Sequence, residues 1–218
     1  MKSVWLLSGG KDSFLAAEIA RDQGHEIGIA LTVLPEEFSM MYHFPNASKA
    51  ELVAGLRGTP WKSVSENSLD SALTDLRKQG YDELISGAIA SDYQKTRLEK
   101  LCTETGMESY TPLWHKDQSD IIRELIMRGI SAMVVSVSAE GFTVNDLGRT
   151  IDEEFLSDME IRNRRYGINI AGEGGEYESF VYSAYGCSIH IISTRKIWEG
   201  SHGYLFIENA ELVQSRVV

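Results

Sequence analysis

Short apolar segments alternate with helix-forming segments over the first half of this 218-residue chain, and this alternation limits the fold more than any other feature. The runs SVWLL, EIGIALTV, WKSV and DELISGAI predict buried strands, and helical spacing follows each of them. Strands that are apolar throughout are typical of a parallel sheet whose two faces are both covered. We therefore expect an α/β fold with a doubly wound parallel sheet.

The pattern changes in the second half of the chain. A predicted helix at 120–128 precedes the strand SAMVVSVS, and a helix at 152–165 precedes a strand-rich end. We therefore expect one domain at 1–120 and a smaller α+β lobe at 121–218.

Composition and charge exclude several classes of protein. A formal net charge of −11 disfavours nucleic-acid partners, because affinity for a phosphate backbone comes largely from clustered Lys and Arg. The apolar runs are far shorter than the roughly 20 residues of a membrane-spanning helix, and no signal segment opens the chain. Cys102 and Cys187 form no CxxC pair, which argues against a disulfide framework and a structural zinc site. We expect a soluble, cytoplasmic protein without a membrane partner, and both a monomer and a homodimer stay open.

The string SGGKDS at 8–13 follows the first predicted strand and opens a helix. Gly9 and Gly10 permit positive φ and close backbone approach, so N–H groups can face an anion at the helix N-terminus. Lys11 would add a positive charge. The string is not a Walker A loop, because Asp12 follows Lys11, and no G-x-G-x-x-G follows the strand.

SGGKDS resembles the SGGxDS phosphate loop of the N-type ATP pyrophosphatases, which cleave ATP between the α and β phosphates. This resemblance implies that 1–120 is an adenine nucleotide α-hydrolase-like domain that binds ATP. It implies hydroxyl and backbone donors from the turn, a catalytic charge on Lys11, and Asp12 as a ligand of Mg²⁺. The residues assigned to the nucleotide are Ser8, Gly9, Gly10, Lys11, Asp12, Ser13, Thr32, Gly87 and Ser91.

Two further strings suggest ligand contacts. GAIASDYQ falls at a strand's carboxyl end, where open α/β sheets bind ligands, although SDYQ alone is also typical of a helix cap. GEGGEYESFV places Glu173, Glu176 and Glu178 among glycines. Repeated carboxylates in a glycine-rich bend favour a ligand-facing loop, and a solvated turn before a strand is the alternative.

The strings SGGKDS, SMMYHFPN, GAIASDYQKTRLE, PLW and GEGGEYESFV, in this order, resemble the diphthine–ammonia ligase family from the first strand to about residue 185. Ser179 stands where the family often has Thr, and Ile170 where it often has Pro. The chain ends soon after the family core, which is similar to the short archaeal form.

The resemblance implies ATP-dependent amidation of diphthine, a modified histidine of translation elongation factor 2. Ammonium would be the nitrogen donor, an acyl adenylate the intermediate, and AMP and pyrophosphate the other products. Glu173 and Glu176 would be catalytic, and the lobe at 121–218 would bind substrate. Aromatic faces beside carboxylates suit the trimethylammonium of diphthine. The expected substrate contacts are His43, Asp92, Tyr93, Gln94, Gly172, Gly175, Tyr177 and Glu178.

Two other functions stay open. One is a tRNA-modifying enzyme of the same nucleotide-hydrolase group, although the two separated cysteines and the acidic charge disfavour it. The other is a regulatory module that binds ATP without turnover. Release of AMP would separate an enzyme from such a module.

Overall fold

The computed structural model describes residues 1–34 and 46–214. The chain divides into two compact units, Met1–His115 and Lys116–Val218. The division falls a few residues before the boundary predicted from sequence. The nucleotide and substrate roles given to the two domains stay predictions.

The first unit contains one five-stranded parallel sheet with helices between its strands. Its strands are β1 (Lys2–Leu6), β2 (Glu26–Leu34), β3 (Trp61–Ser65), β4 (Glu83–Ile85) and β5 (Glu108–Tyr110). Its helices are α1 (Lys11–Asp22), α2 (Ala50–Gly55), α3 (Leu69–Lys78) and α4 (Asp92–Thr105). The strand order is β3-β2-β1-β4-β5, so the order reverses beside β1.

Successive residues of β1 face opposite sides of this sheet, as the period of a strand requires. Val4 belongs to a buried cluster with Leu73 of α3 and Leu98 of α4. The next residue, Trp5, faces α1, where its ring meets Phe14 edge-on at 5.5 Å between centroids. Both faces are therefore covered by helices, which confirms the predicted doubly wound sheet.

The second unit is an α+β lobe, as predicted. It contains α5 (Gln118–Met127), β6 (Ser131–Val137), α6 (Glu153–Tyr166), β7 (Tyr177–Ala184), β8 (Cys187–Glu199) and β9 (His202–Gln214). All its strand pairs are antiparallel, and the ladder closes into a ring in the order β6-β7-β8-β9. Phe155 and Phe180 are fully buried in its core.

Side-chain caps explain where several helices begin. Asp117 accepts the N–H groups of Ser119 and Asp120 at the start of α5. The segment that begins at Asn46 is different. It starts as a 3₁₀ turn at Ala47–Lys49, becomes α-helical only in α2, and receives no capping hydrogen bond from the Asn46 side chain.

Within residues 1–34 and 46–214, no helix is long and apolar enough to cross a membrane. Cys102 is buried and Cys187 half-buried, and neither forms a disulfide within the same residues.

The two thiols should differ in reactivity. Burial raises the pKa of the Cys102 thiol to about 11. A hydrogen bond with Ser109 lowers this pKa, and the negative charge of Glu99 raises it further. Because the thiolate is the reactive form, we expect Cys102 to resist a thiol reagent at neutral pH in the folded protein. Counting modified thiols by mass should give one in native protein and both in denaturant. Cys187→Ser is the control, and rapid native labelling of that variant would contradict the expectation.

Candidate functional site

Hydrogen bonds among its own residues hold the turn between β1 and α1. The Ser13 hydroxyl donates to the Gly10 carbonyl at 3.0 Å and accepts the Ser8 N–H at 3.3 Å. The Ser8 hydroxyl lies 3.0 Å from that of Ser13 and accepts the Gly10 N–H at 3.2 Å. Gly9 has φ 92°, a left-handed conformation that glycine favours. Two serine hydroxyls thus fix the backbone of this turn.

Helix α1 presents its N-terminus at this turn. The N-cap is Gly10, which has no side chain to accept an N–H of the first helical turn. The N-terminus of this 12-residue helix also carries the positive end of the helix dipole. An anion at this position would meet both N–H donors and a favourable field.

Lys11 brings a buried positive charge to the same place. The residue is only 2% exposed, and its Nζ lies 3.0 Å from Oδ2 of Asp12. Burying an ammonium group is costly unless the charge is paired, and the Asp12 carboxylate supplies the pairing. An anionic ligand here would meet a positioned amine with one carboxylate beside it.

The segment after β4 contacts this turn closely, as the reversal of strand order predicts. A Cβ built on Gly87 would lie 2.6 Å from both the Asp12 carbonyl carbon and the Ser13 nitrogen. Only a residue without a side chain allows the two backbones to approach so closely. The Gly87 backbone therefore packs directly against the turn between β1 and α1.

The other nucleotide residues predicted from sequence have partners within the fold. Thr32 is buried in β2, where its hydroxyl accepts the Trp61 indole N–H at 2.9 Å. Ser91 caps α4 by accepting the Gln94 N–H at 3.4 Å, which confirms the helix-cap interpretation of SDYQ. Nucleotide contacts of Thr32 and Ser91 stay predictions.

Three predicted substrate residues of the first unit, Asp92, Tyr93 and Gln94, lie at the start of α4. Tyr93 is 61% exposed, and it lines a cavity of about 430 Å³ together with Asp92. Gln94 is half-buried. His43 lies outside the described residues. Substrate contact by all four residues stays a prediction.

In the second unit, the GEGGEYES string forms a turn that leads into β7. Gly172 has φ 75°, and a Cβ there would lie 2.7 Å from the Tyr177 carbonyl oxygen. Gly175 has φ 79° and donates its N–H to the Gly172 carbonyl at 3.0 Å. Glu173, between two glycines of this turn, is half-exposed, as is Glu178 on β7. The string is therefore a glycine turn that runs into a strand, and a ligand-facing role for its carboxylates stays a prediction.

Two residues of this loop have different environments from those expected. Tyr177 is 1% exposed, lies against Phe155 at 5.3 Å between ring centroids, and donates its hydroxyl to the Ile170 carbonyl. Glu176 directs its carboxylate at N–H groups of Asn169 and Gly174 in its own loop. Their substrate and catalytic roles stay predictions, and the structure adds packing and loop-ordering roles to them.

Sequence reasoning did not identify three residues that support these sites. The Trp5 indole N–H donates to the Ser13 carbonyl at 2.7 Å. Gln118 and Asn169 hydrogen-bond each other beside the GEGGEYES loop. Trp5 lies in a strand that was predicted to be buried, whereas Gln118 and Asn169 lie outside the predicted helices at 120–128 and 152–165. No pattern in the sequence identifies the partners of these three side chains.

Among the described residues, no group of three or more His, Cys, Asp or Glu side chains could hold a metal ion. Asp12 is the predicted metal ligand that lies at the turn. A single carboxylate is compatible with Mg²⁺ that is bound mainly through phosphate oxygens and water.

The sheet and its glycine turn define an open α/β protein with a candidate anion site at the switch point of the sheet. The family models of the diphthamide synthase N-terminal and C-terminal domains match residues 1–109 and 117–213. The chain therefore belongs to the diphthamide synthase family, a family of ATP-dependent ligases.

Curated relatives agree with this family. A diphthine–ammonia ligase of Homo sapiens is 30% identical over 211 residues, covering 83% of this chain and 78% of the human protein. One from Danio rerio is 30% identical over 208 residues, with 83% and 81% covered. One from Schizosaccharomyces pombe is 29% identical, and the match covers 83% of this chain and only 34% of the yeast protein. The chain thus spans about a third of the length of that relative.

A solved structure described as a predicted subunit of tRNA methyltransferase from Methanocaldococcus jannaschii is also similar. It has 16% sequence identity and a TM-score of 0.42, and the match covers 84% of this chain and 97% of that chain. A likeness at this level has no bearing on function.

Gly87→Ala tests whether the approach of the β4 segment shapes the turn. The added methyl group would overlap backbone atoms of Asp12 and Ser13, so we expect a loss of about 1 to 3 kcal/mol in the free energy of unfolding, together with weaker ATP binding. Urea unfolding and ATP titration measure the two effects.

Gly28→Ala is the matched control, because the three atoms nearest to its methyl group would be side-chain atoms of Lys2 and Tyr81 in the same unit, at 2.9 to 3.0 Å. It should lower stability without a matching loss of ATP affinity. Equal effects of the two variants on ATP binding would contradict the role of Gly87.

Proposed function

We propose that this chain amidates diphthine on translation elongation factor 2, using ATP and ammonium and releasing AMP and pyrophosphate. The observation that carries the proposal is the turn between β1 and α1, where a helix N-terminus without a side-chain cap, two serine hydroxyls and the buried Lys11 amine occur within residues 8–13. Membership of the diphthamide synthase family and the names of the curated relatives support the choice of substrate.

The residues of the turn suit the phosphates of ATP. Backbone N–H groups at the start of α1 would bind phosphate oxygens, and Lys11 would offset the charge that grows on the departing pyrophosphate. Asp12 would hold Mg²⁺, which would neutralise phosphate charge during the transfer. Because hydrogen bonds within the turn fix its backbone, little reorganisation is needed when charge develops.

Amidation requires a carboxylate to be activated, because its oxygen is a poor leaving group. In the first step a diphthine carboxylate oxygen attacks the α phosphorus, and the bond to the β phosphate breaks to release pyrophosphate. In the second step ammonia attacks the acyl carbon, the carbon–oxygen bond breaks, and AMP leaves with the former carboxylate oxygen. Ammonium loses one proton to become the ammonia that attacks, and the nitrogen loses a second proton after the attack. A carboxylate of the GEGGEYES loop is chemically suited to accept a proton from it.

The acceptor would be a cationic side chain carried by another protein. Carboxylates at the surface of the second unit, with Glu173 and Glu178 half-exposed, would attract ammonium and the trimethylammonium group of diphthine. The net charge of −11 suits this cationic group better than an RNA substrate. Free ammonium is the simplest nitrogen donor.

The test is incubation of the protein with ATP, Mg²⁺, ammonium and elongation factor 2 that carries diphthine. Mass spectrometry of the factor should show replacement of a carboxylate O–H by NH₂, and AMP should form in step with amide. AMP release that is equal without the modified factor, or no mass change while ATP is bound, would overturn the proposal. Turnover on tRNA instead would favour the tRNA-modifying alternative.

Lys11→Met tests the role of the buried amine while keeping an apolar stem of similar length. We expect a loss of roughly 2 to 4 kcal/mol of transition-state stabilisation, measured as slower AMP formation, because a charge aimed at phosphate is removed. Lys78→Met is the control, since Lys78 is exposed and paired with Asp75 at the end of α3. Unchanged AMP formation in Lys11→Met would remove Lys11 from the mechanism.

A further inference from the structure

The carboxylate of Glu176 is held by N–H groups of its own loop. Its Oε1 accepts the backbone N–H of Asn169 at 2.9 Å and the side-chain amide of Asn169 at 2.7 Å. Its Oε2 accepts the backbone N–H of Gly174 at 2.8 Å. The Glu176 carboxylate therefore links Asn169 and Gly174, which lie on either side of the turn residues that include Glu173. Hydrogen bonds to an ionised carboxylate are stronger than neutral ones, so this single side chain is well suited to fix the turn.

Helix α5 extends the network through its first residue. Gln118 donates its Nε2 amide to Oδ1 of Asn169 at 3.1 Å and accepts the Ala171 N–H through Oε1 at 2.8 Å. Asn169 thus accepts through its oxygen and donates through its nitrogen. Flipping either amide would set donor against donor or acceptor against acceptor, so the contacts determine both orientations.

The glycines make this network necessary. Gly172 and Gly175 adopt positive φ, and residues of this kind have more conformational freedom to lose when the loop is ordered. A Cβ on Gly174 would lie 2.9 Å from Oε1 of Glu176 and 3.0 Å from Nδ2 of Asn169. The Gly174 backbone therefore lies directly against the network, and the position of the neighbouring Glu173 follows from it.

We infer that Gln118 and Asn169 are positioning residues that act through Glu176, and that Glu176 orders the loop instead of contacting the reacting atoms. The inference rests on the proposed function, because it assigns roles within the amide-forming step. It differs from the prediction made from the sequence, in which Glu173 and Glu176 were both catalytic.

A double-mutant cycle separates positioning from direct chemistry. Gln118→Ala and Glu176→Gln should each slow amide formation on the order of tenfold to a hundredfold, as expected when a reacting group is misplaced. Because both residues act through one network, the double variant should be about as slow as the slower single variant. The KM for ATP should not change. The ratio of AMP to amide should rise, because a misplaced loop slows the attack of ammonia.

Gln79→Ala is the matched control, since this glutamine is exposed in the first unit and its side-chain amide donates to the Asp75 carbonyl at 3.1 Å. It should leave the rate and the product ratio unchanged. Multiplying effects in the double variant would overturn the inference, as would a loss in Glu176→Gln far beyond that in Gln118→Ala. Either result would assign Glu176 to the reacting atoms.

Failure of the proposed function is distinguishable from failure of this inference. If the unmodified chain forms no amide, the proposed function fails, and the network is then tested by hydrogen exchange of the Ala171 and Gly174 amides. Exchange at both should be faster in Gln118→Ala than in Gln79→Ala. Equal exchange in the two variants would overturn the positioning roles.

Discussion

The hydrogen bond from the Trp5 indole to the Ser13 carbonyl joins the central strand of the parallel sheet to the first turn of α1. Trp5 is fully buried, and close packing leaves its ring little freedom. The donor therefore sets where α1 begins relative to β1. The Ser8 and Ser13 hydroxyls then bond to each other within the turn. The orientation of the N-terminus of α1, where the candidate anion site lies, therefore depends on the buried indole N–H of Trp5.

The two candidate sites use the same physical device. Each is a glycine-rich segment whose backbone would be loose by itself, and in each a polar side chain accepts N–H groups of that segment. Serine hydroxyls do this in the first unit, and the Glu176 carboxylate does it in the second. The neutral hydroxyls add no charge to the turn of the first unit, whereas the Glu176 carboxylate adds a negative charge to the loop of the second unit.

Local sequence patterns were sufficient to predict most of the fold. Apolar runs and helical spacing predicted the doubly wound sheet, and SDYQ lies at the start of α4, as its helix-cap interpretation predicted. Contacts between distant residues were not predictable. Gln118 and Asn169 are 51 positions apart, and nothing near either residue indicates the other. The acidic neighbours of Tyr177 predict a ligand contact, which stays a prediction, and they give no indication that the ring packs against Phe155 in the core.

The central claim is that the turn between β1 and α1 holds the phosphates of ATP. A crystal structure with a non-hydrolysable ATP analogue and Mg²⁺ tests this most directly. We expect phosphate oxygens within hydrogen-bond distance of the backbone N–H groups of Gly9 and Lys11 and of the Lys11 amine, with the metal beside Asp12. A triphosphate bound elsewhere, with this turn in contact with water alone, would contradict it.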